Sequence, residues 1–276
     1  MRIVAILALS ISLAACGLTS TPRAVDISKL GPMSGREQAL MATAQAAEGR
    51  GELASAERNY REAAGLSQGH VEAHLALAEL YKKQNQPSKA RAVLEEAARF
   101  QPNHVAVQYA LGKIYLSEQR GKDALSAFDR GLITQPQSLD LLSGKGIALD
   151  MLRRHSAAQA VYLRALGLNP AADVSAVRSN LAMSYLLDNQ PEKAAELLKE
   201  DVTAPVASPV VRHNLALAYG MLGRHTEARE LVTGEMTEKE REASLKKLAQ
   251  YIAGYDASGK KLSNAGAPVP VREVAN

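Results

Sequence analysis

A single thiol, six histidines and a recurring pair of asparagine amides are the side chains of this chain with the widest chemical scope. Cys16 is the only cysteine, so no disulfide can form within the chain and the thiol is left for nucleophilic chemistry or acylation. A nucleophile needs a base beside it, and no His or Asp constellation accompanies Cys16. His70 and His74 could share a helix face, as zinc ligands do, but no HExxH pattern surrounds them. His155 and His225 recur at one offset of a repeat, which periodicity alone explains. With no GxSxG, no Walker loop and no glycine-rich nucleotide loop, the sequence points to a protein that is not an enzyme and takes no metal or cofactor.

The amides are more specific. Arg178-Ser179-Asn180-Leu181-Ala182-Met183 recurs as Arg212-His213-Asn214-Leu215-Ala216-Leu217. An amide offers both a donor and an acceptor, which suits hydrogen bonding to a peptide backbone; helix-terminal hydrogen bonding is its alternative use here.

The elements that must position these residues follow a fixed interval. A small residue recurs as Ala56, Ala90, Ala124, Ala158, Ala194 and Ala228, at spacings of 34, 34, 34, 36 and 34 residues. Residues 105–138 carry the fullest pattern around it: Leu111, Gly112, Tyr115, Ala124, Phe128 and Pro136. The unit before reads Leu77, Ala78, Tyr81, Ala90, Leu94, Ala97 and Pro102, and the unit after reads Gly146, Leu149, Ala158, Tyr162, Ala165 and Pro170. Small residues let two helix backbones approach, while the Leu and aromatic positions fill the space between pairs.

This pattern resembles the tetratricopeptide repeat (TPR), an antiparallel helix pair of 34 residues. The resemblance implies an all-α fold, a right-handed superhelical solenoid of about six helix pairs over residues 37–236. Turns are expected at Gly51, Asn85, Asn189 and Gly223, with Pro87 and Pro191 in the first turn of the next helix. The first unit is degenerate, with Thr43 for the Leu and Gln68 for the Pro. In the fifth, Asp201 takes a small-residue position, which predicts a second helix that ends early.

Composition agrees. With 46% hydrophobic residues but no Trp and only two Phe, the core must be built of Ala and Leu. A net charge of +4 lacks the clustered Lys and Arg of a phosphate reader, so no nucleic-acid partner is expected.

The two ends read differently. Residues 1–15 combine Arg2, an apolar run from Ile3 to Leu13 and small residues, the pattern of a secretory signal too short to span a bilayer. Leu13-Ala14-Ala15-Cys16 resembles the bacterial lipobox, and that resemblance implies that Cys16 becomes the acylated first mature residue. Gly17 after it implies sorting to the outer membrane, on its periplasmic face. Residues 16–36 read as a lipidated flexible tether. Thr237 and Glu240 form a capping-box pattern, with Leu245, Leu248 and Ile252 on one face, which predicts a capping helix over 237–255; a membrane-surface helix is the rival. Residues 256–276 read as a disordered tail.

Aligning the units by their alanines places Leu75, Tyr109, Lys113, Ile147, Met183 and Leu217, with Arg178, Asn180, Arg212 and Asn214, along the first helices as a peptide-binding groove. Apolar and Met side chains there suit an extended peptide or an amphipathic helix of a protein partner; packing between repeats is the alternative. The Lys and Asn set that clamps C-terminal carboxylates in chaperone-binding TPR proteins is absent, since Leu75, Tyr109 and Ser143 stand there.

A lipobox, a tether and about six such units together resemble the outer-membrane pilus-assembly lipoproteins of the tight-adherence (Flp pilus) system, the TadD type. The resemblance implies a non-enzymatic scaffold that assists pilus or secretin assembly. A type IV pilus pilotin has the same layout, and a periplasmic adaptor recruiting a protease or cell-wall hydrolase shares these features.

Overall fold

The computed structural model describes residues 30–66, 69–168, 174–201 and 208–233. The expected signal segment, Cys16, most of the tether, the capping helix and the tail lie outside the described residues.

Within them the chain forms twelve helices in antiparallel pairs. The pairs are α1 (Gly35–Gly49) with α2 (Leu53–Leu66), α3 (Glu72–Lys83) with α4 (Pro87–Phe100), and α5 (Val105–Ser117) with α6 (Gly121–Thr134). They continue as α7 (Leu139–Met151) with α8 (His155–Leu166), α9 (Ser175–Leu187) with α10 (Pro191–Leu198), and α11 (Pro209–Met221) with α12 (His225–Thr233). Each pair packs on the next, so the molecule is an α-solenoid.

Local chemistry starts and stops these helices. Ser34 and Glu37 form a capping box that starts α1 at Gly35, two residues ahead of the expected solenoid boundary. Ser138 accepts a hydrogen bond from the Leu141 N–H and Ser208 one from the Val210 N–H. Pro87 and Pro191 open α4 and α10, where a missing N–H costs nothing.

Every turn inside a pair is the same device. Gly51, Asn85, Gln119, Arg153, Asn189 and Gly223 all have φ between 56° and 76°, each five residues before its marker alanine. The N–H three residues past each first helix returns to a carbonyl near that helix's end, as in Arg120 to Tyr115 (2.8 Å) and Arg154 to Leu149 (2.9 Å). This left-handed closure satisfies carbonyls the helix would otherwise orphan. Arg120 and Arg224 also stack on Tyr115 and Tyr219, with guanidinium carbons 4.5 and 4.0 Å from the ring centroids.

All six marker alanines are fully buried. Above them sit Tyr60, Phe128 and Tyr162, at most 2% exposed. Phe128 lies where Cβ atoms on both Gly112 and Gly144 would stand, so one ring fills a gap opened by glycines from two neighbouring units. The Tyr162 ring does the same over Gly146.

Among the described residues, α5, α7 and α9 each touch the next first helix, whereas consecutive second helices lie farther apart. The stack therefore curves with its first helices inside. α10 has only eight residues, as the Asp201 position foretold.

Candidate functional site

A cleft lies in the inner layer between α5 and α7. It is lined by Tyr109, Lys113, Leu116, Phe128, Asp140, Ser143, Gly144 and Ile147 and encloses about 10 Å³, room for a single water. Tyr109, Lys113 and Ile147, one turn apart along their helices or facing across them, are brought together here from the expected groove set. The floor is apolar, made by the Phe128 edge, Leu116 and Ile147. The rim has two signs: Lys113 on α5 and the exposed Asp140 at the start of α7.

Lys113 Nζ lies 5.5 Å from the Tyr109 ring centroid. Burial, then the neighbouring Lys82, holds its ammonium below the usual lysine range, while Glu79 and Asp140 oppose that. Burial and then the Asp140 charge push the Tyr109 phenol up. The cleft thus presents a half-buried cation, a phenol and an apolar floor to whatever crosses it. Leu75, half-buried on α3, lies in the same layer two helices back.

Other expected groove residues sit differently. Asn180, Met183, Asn214 and Leu217 are at most 2% exposed, because the close approach of α7, α9 and α11 places them between helices instead of on an open face. The Asn180 amide donates to Ser143 Oγ at 3.2 Å, and the Asn214 amide donates to the Ser179 carbonyl at 3.2 Å. Each amide therefore ties its first helix to the preceding one, a use that was not among the two expected. Arg178 turns away from the inner layer. Its guanidinium donates to the Leu197 carbonyl and to Asp201, both at 2.8 Å, closing the C-terminal end of the short α10. Arg212 is half-buried on α11.

Sequence reasoning missed a buried polar cluster about one turn beyond the cleft-lining Ile147 on α7. Asp150, at the end of α7, accepts from Ser184 Oγ of α9 (2.8 Å) and from the Tyr162 hydroxyl of α8 (3.3 Å), and meets His155 Nδ1 at 2.9 Å. The carboxylate is 1% exposed. Four side chains from three helices thus tie the end of α7 to its own partner helix and to the next unit. The signal was present: in the first unit Glu48 likewise stands twelve residues before Tyr60 and accepts its hydroxyl at 3.0 Å.

Among the described residues no group of three or more His, Cys, Asp and Glu side chains is arranged to hold a metal ion, and no helix is long and apolar enough to cross a membrane.

Two tetratricopeptide-repeat family models match the chain, over residues 47–114 and 209–232. No curated protein matches it. Among solved structures it is similar to a tetratricopeptide repeat protein from Parabacteroides merdae ATCC 43184, at 15% identity and a TM-score of 0.68, covering 79% of this chain and 88% of that one. It is also similar to MamA 41-end from Desulfovibrio magneticus RS-1, at 18% identity and a TM-score of 0.54, covering 61% of this chain and 94% of that one. At such identities the likeness concerns the fold. Tetratricopeptide repeats are thus matched at residues 47–114 and 209–232, and the shared turn, the buried alanine series and the paired helices carry one conclusion for the described residues as a whole: they stack as an α-solenoid.

Proposed function

We propose that this protein is a non-enzymatic scaffold that holds partner proteins along the inner layer of its solenoid. The observation that supports this reading is the α5–α7 cleft, where Lys113, Tyr109 and Asp140 frame an apolar floor. Such a surface suits a peptide that inserts a small apolar side chain and spreads polar groups over the rim. Acylation at Cys16 holds the solenoid at the periplasmic face of the outer membrane, with a tether leading to α1. There it assists assembly of the Flp/Tad pilus or its secretin.

The reading is tested in a strain deleted for the gene, by measuring secretin multimers and surface pili, and by complementation with wild-type, Cys16→Ser and Ile147→Asp forms. Loss of multimers restored only by the wild type supports the reading. Normal multimers and normal pili in the deletion strain remove the pilus role.

A further inference from the structure

Two histidines at the junction of the second and third units are built into the fold as neutral groups. His74, on α3, is 1% exposed and tilts against Phe100 of α4, with ring centroids 6.0 Å apart. Its Nδ1 is buried and makes no hydrogen bond among the described residues, so a charge placed on this ring is cut off from water and has only the His70 backbone and Glu96 to offset it. His104 is the N-cap of α5, and its Nδ1 accepts from the Val107 N–H at 3.4 Å. Protonation of that nitrogen removes the cap and sets a positive charge on the positive end of the helix. Phe100 and His104 stand at the two ends of the α4–α5 connection, and within this seam Gln101 donates from Nε2 to the Gly69 carbonyl at 2.5 Å, which ties it to the segment before α3.

We propose that this seam is an acid-sensitive joint, in which protonation of His74 and His104 frees the first turn of α5 and loosens the second unit from the third. The charged groups around it act in both directions. Glu96 on α4 faces His74, and Glu72 on α3 faces His104; both favour the protonated rings, as does the backbone of His70 for His74. Burial outweighs them and holds both imidazoles below the ordinary histidine range. His70 itself stands 3.5 Å from the buried Glu37 of α1 and meets the Gly31 carbonyl at 2.9 Å. The sign follows. The unfolded chain takes up protons at His74 and His104 from about pH 6.5 downward while the folded joint resists, so stability present above that pH is lost as the pH falls.

The joint is tested by hydrogen exchange of the full chain between pH 7.5 and 5.5, corrected for intrinsic rates. In the wild type, protection in α3–α5 falls by up to about tenfold per pH unit for each proton taken up, while α9 and α11 hold theirs. His104→Asn keeps a cap that does not titrate, and with His74→Gln it flattens the response. The proposal is overturned by protection in α3–α5 that does not change with pH, by an equal loss in α9 and α11, or by an unaltered response in His104→Asn.

Discussion

The edge of the Phe128 ring lies 2.5 Å from the point where a Cβ on Gly112 would stand. The absence of a side chain at one position is thus what seats the largest fully buried side chain of the third unit, and Gly144 leaves room for the same ring from the fourth. Gly112→Ala and Gly144→Ala are each expected to destabilise the chain by about 1–3 kcal/mol through overpacking. Gly65, on α2, has nothing within 4 Å of its added Cβ, and Gly65→Ala is expected to gain about 0.5–1 kcal/mol from helix propensity alone. Chemical denaturation of the three variants separates the two cases by sign.

The left-handed turns hold a second contrast. Gln119 and Arg153 have φ of 60° and 59° with side chains that disfavour that region, whereas Gly51 and Gly223 adopt it freely. Replacing Gln119 or Arg153 by Gly is expected to raise stability by roughly 0.5 kcal/mol, because relief of left-handed strain exceeds the added chain entropy. Gly223→Ala is expected to lower it by about 1 kcal/mol. Thermal midpoints measured side by side give the ranking.

Asp150 concentrates polar burial at one point. Asp150→Ala leaves Ser184, Tyr162 and His155 without their shared acceptor, at an expected cost of about 3 kcal/mol. Asn214→Ala removes one inter-helix hydrogen bond together with an Oδ1 that meets no partner among the described residues, so its expected cost is nearer 1 kcal/mol. Urea unfolding that gives the two variants equal midpoints would contradict this ranking.

How much of this was legible beforehand depends on what periodicity carries. The alanine series fixed the register of all six pairs, because a small residue at a crossing has no substitute, and the eight-residue α10 followed from Asp201. The turns at Gln119 and Arg153 were not legible: neither residue signals a positive φ, and only the 34-residue offset reveals them. Of the candidate site, Tyr109, Lys113 and Ile147 meet at one cleft. Asn180 and Asn214 were placed on the right face, but helical period cannot tell an open face from one closed by the neighbouring first helix. Arg178 escaped because its partner, the end of α10, depends on where that helix stops.

Two tyrosines set an upper pH limit. Burial first, then hydrogen bonds to Glu48 and Glu95, push the phenols of Tyr60 and Tyr115 up to about 12. Their folded values lie above the unfolded one near pH 10, so the stabilisation is fully present below pH ~10 and is lost as the pH rises toward 12. Tyr60→Phe and Tyr115→Phe are expected to lessen the alkaline fall in thermal midpoint; an unchanged fall in both would show that the phenols are not its source.

The account rests on the inner layer as the face that meets partners, and site-specific photo-crosslinking in the native host tests this most directly. A photoreactive residue at Tyr109 or Lys113 is predicted to give discrete protein adducts that vanish with Ile147→Asp, while the same probe at the exposed Ile133 or Leu163 gives none. Adducts from Ile133 and Leu163 with none from Tyr109 or Lys113 would contradict it.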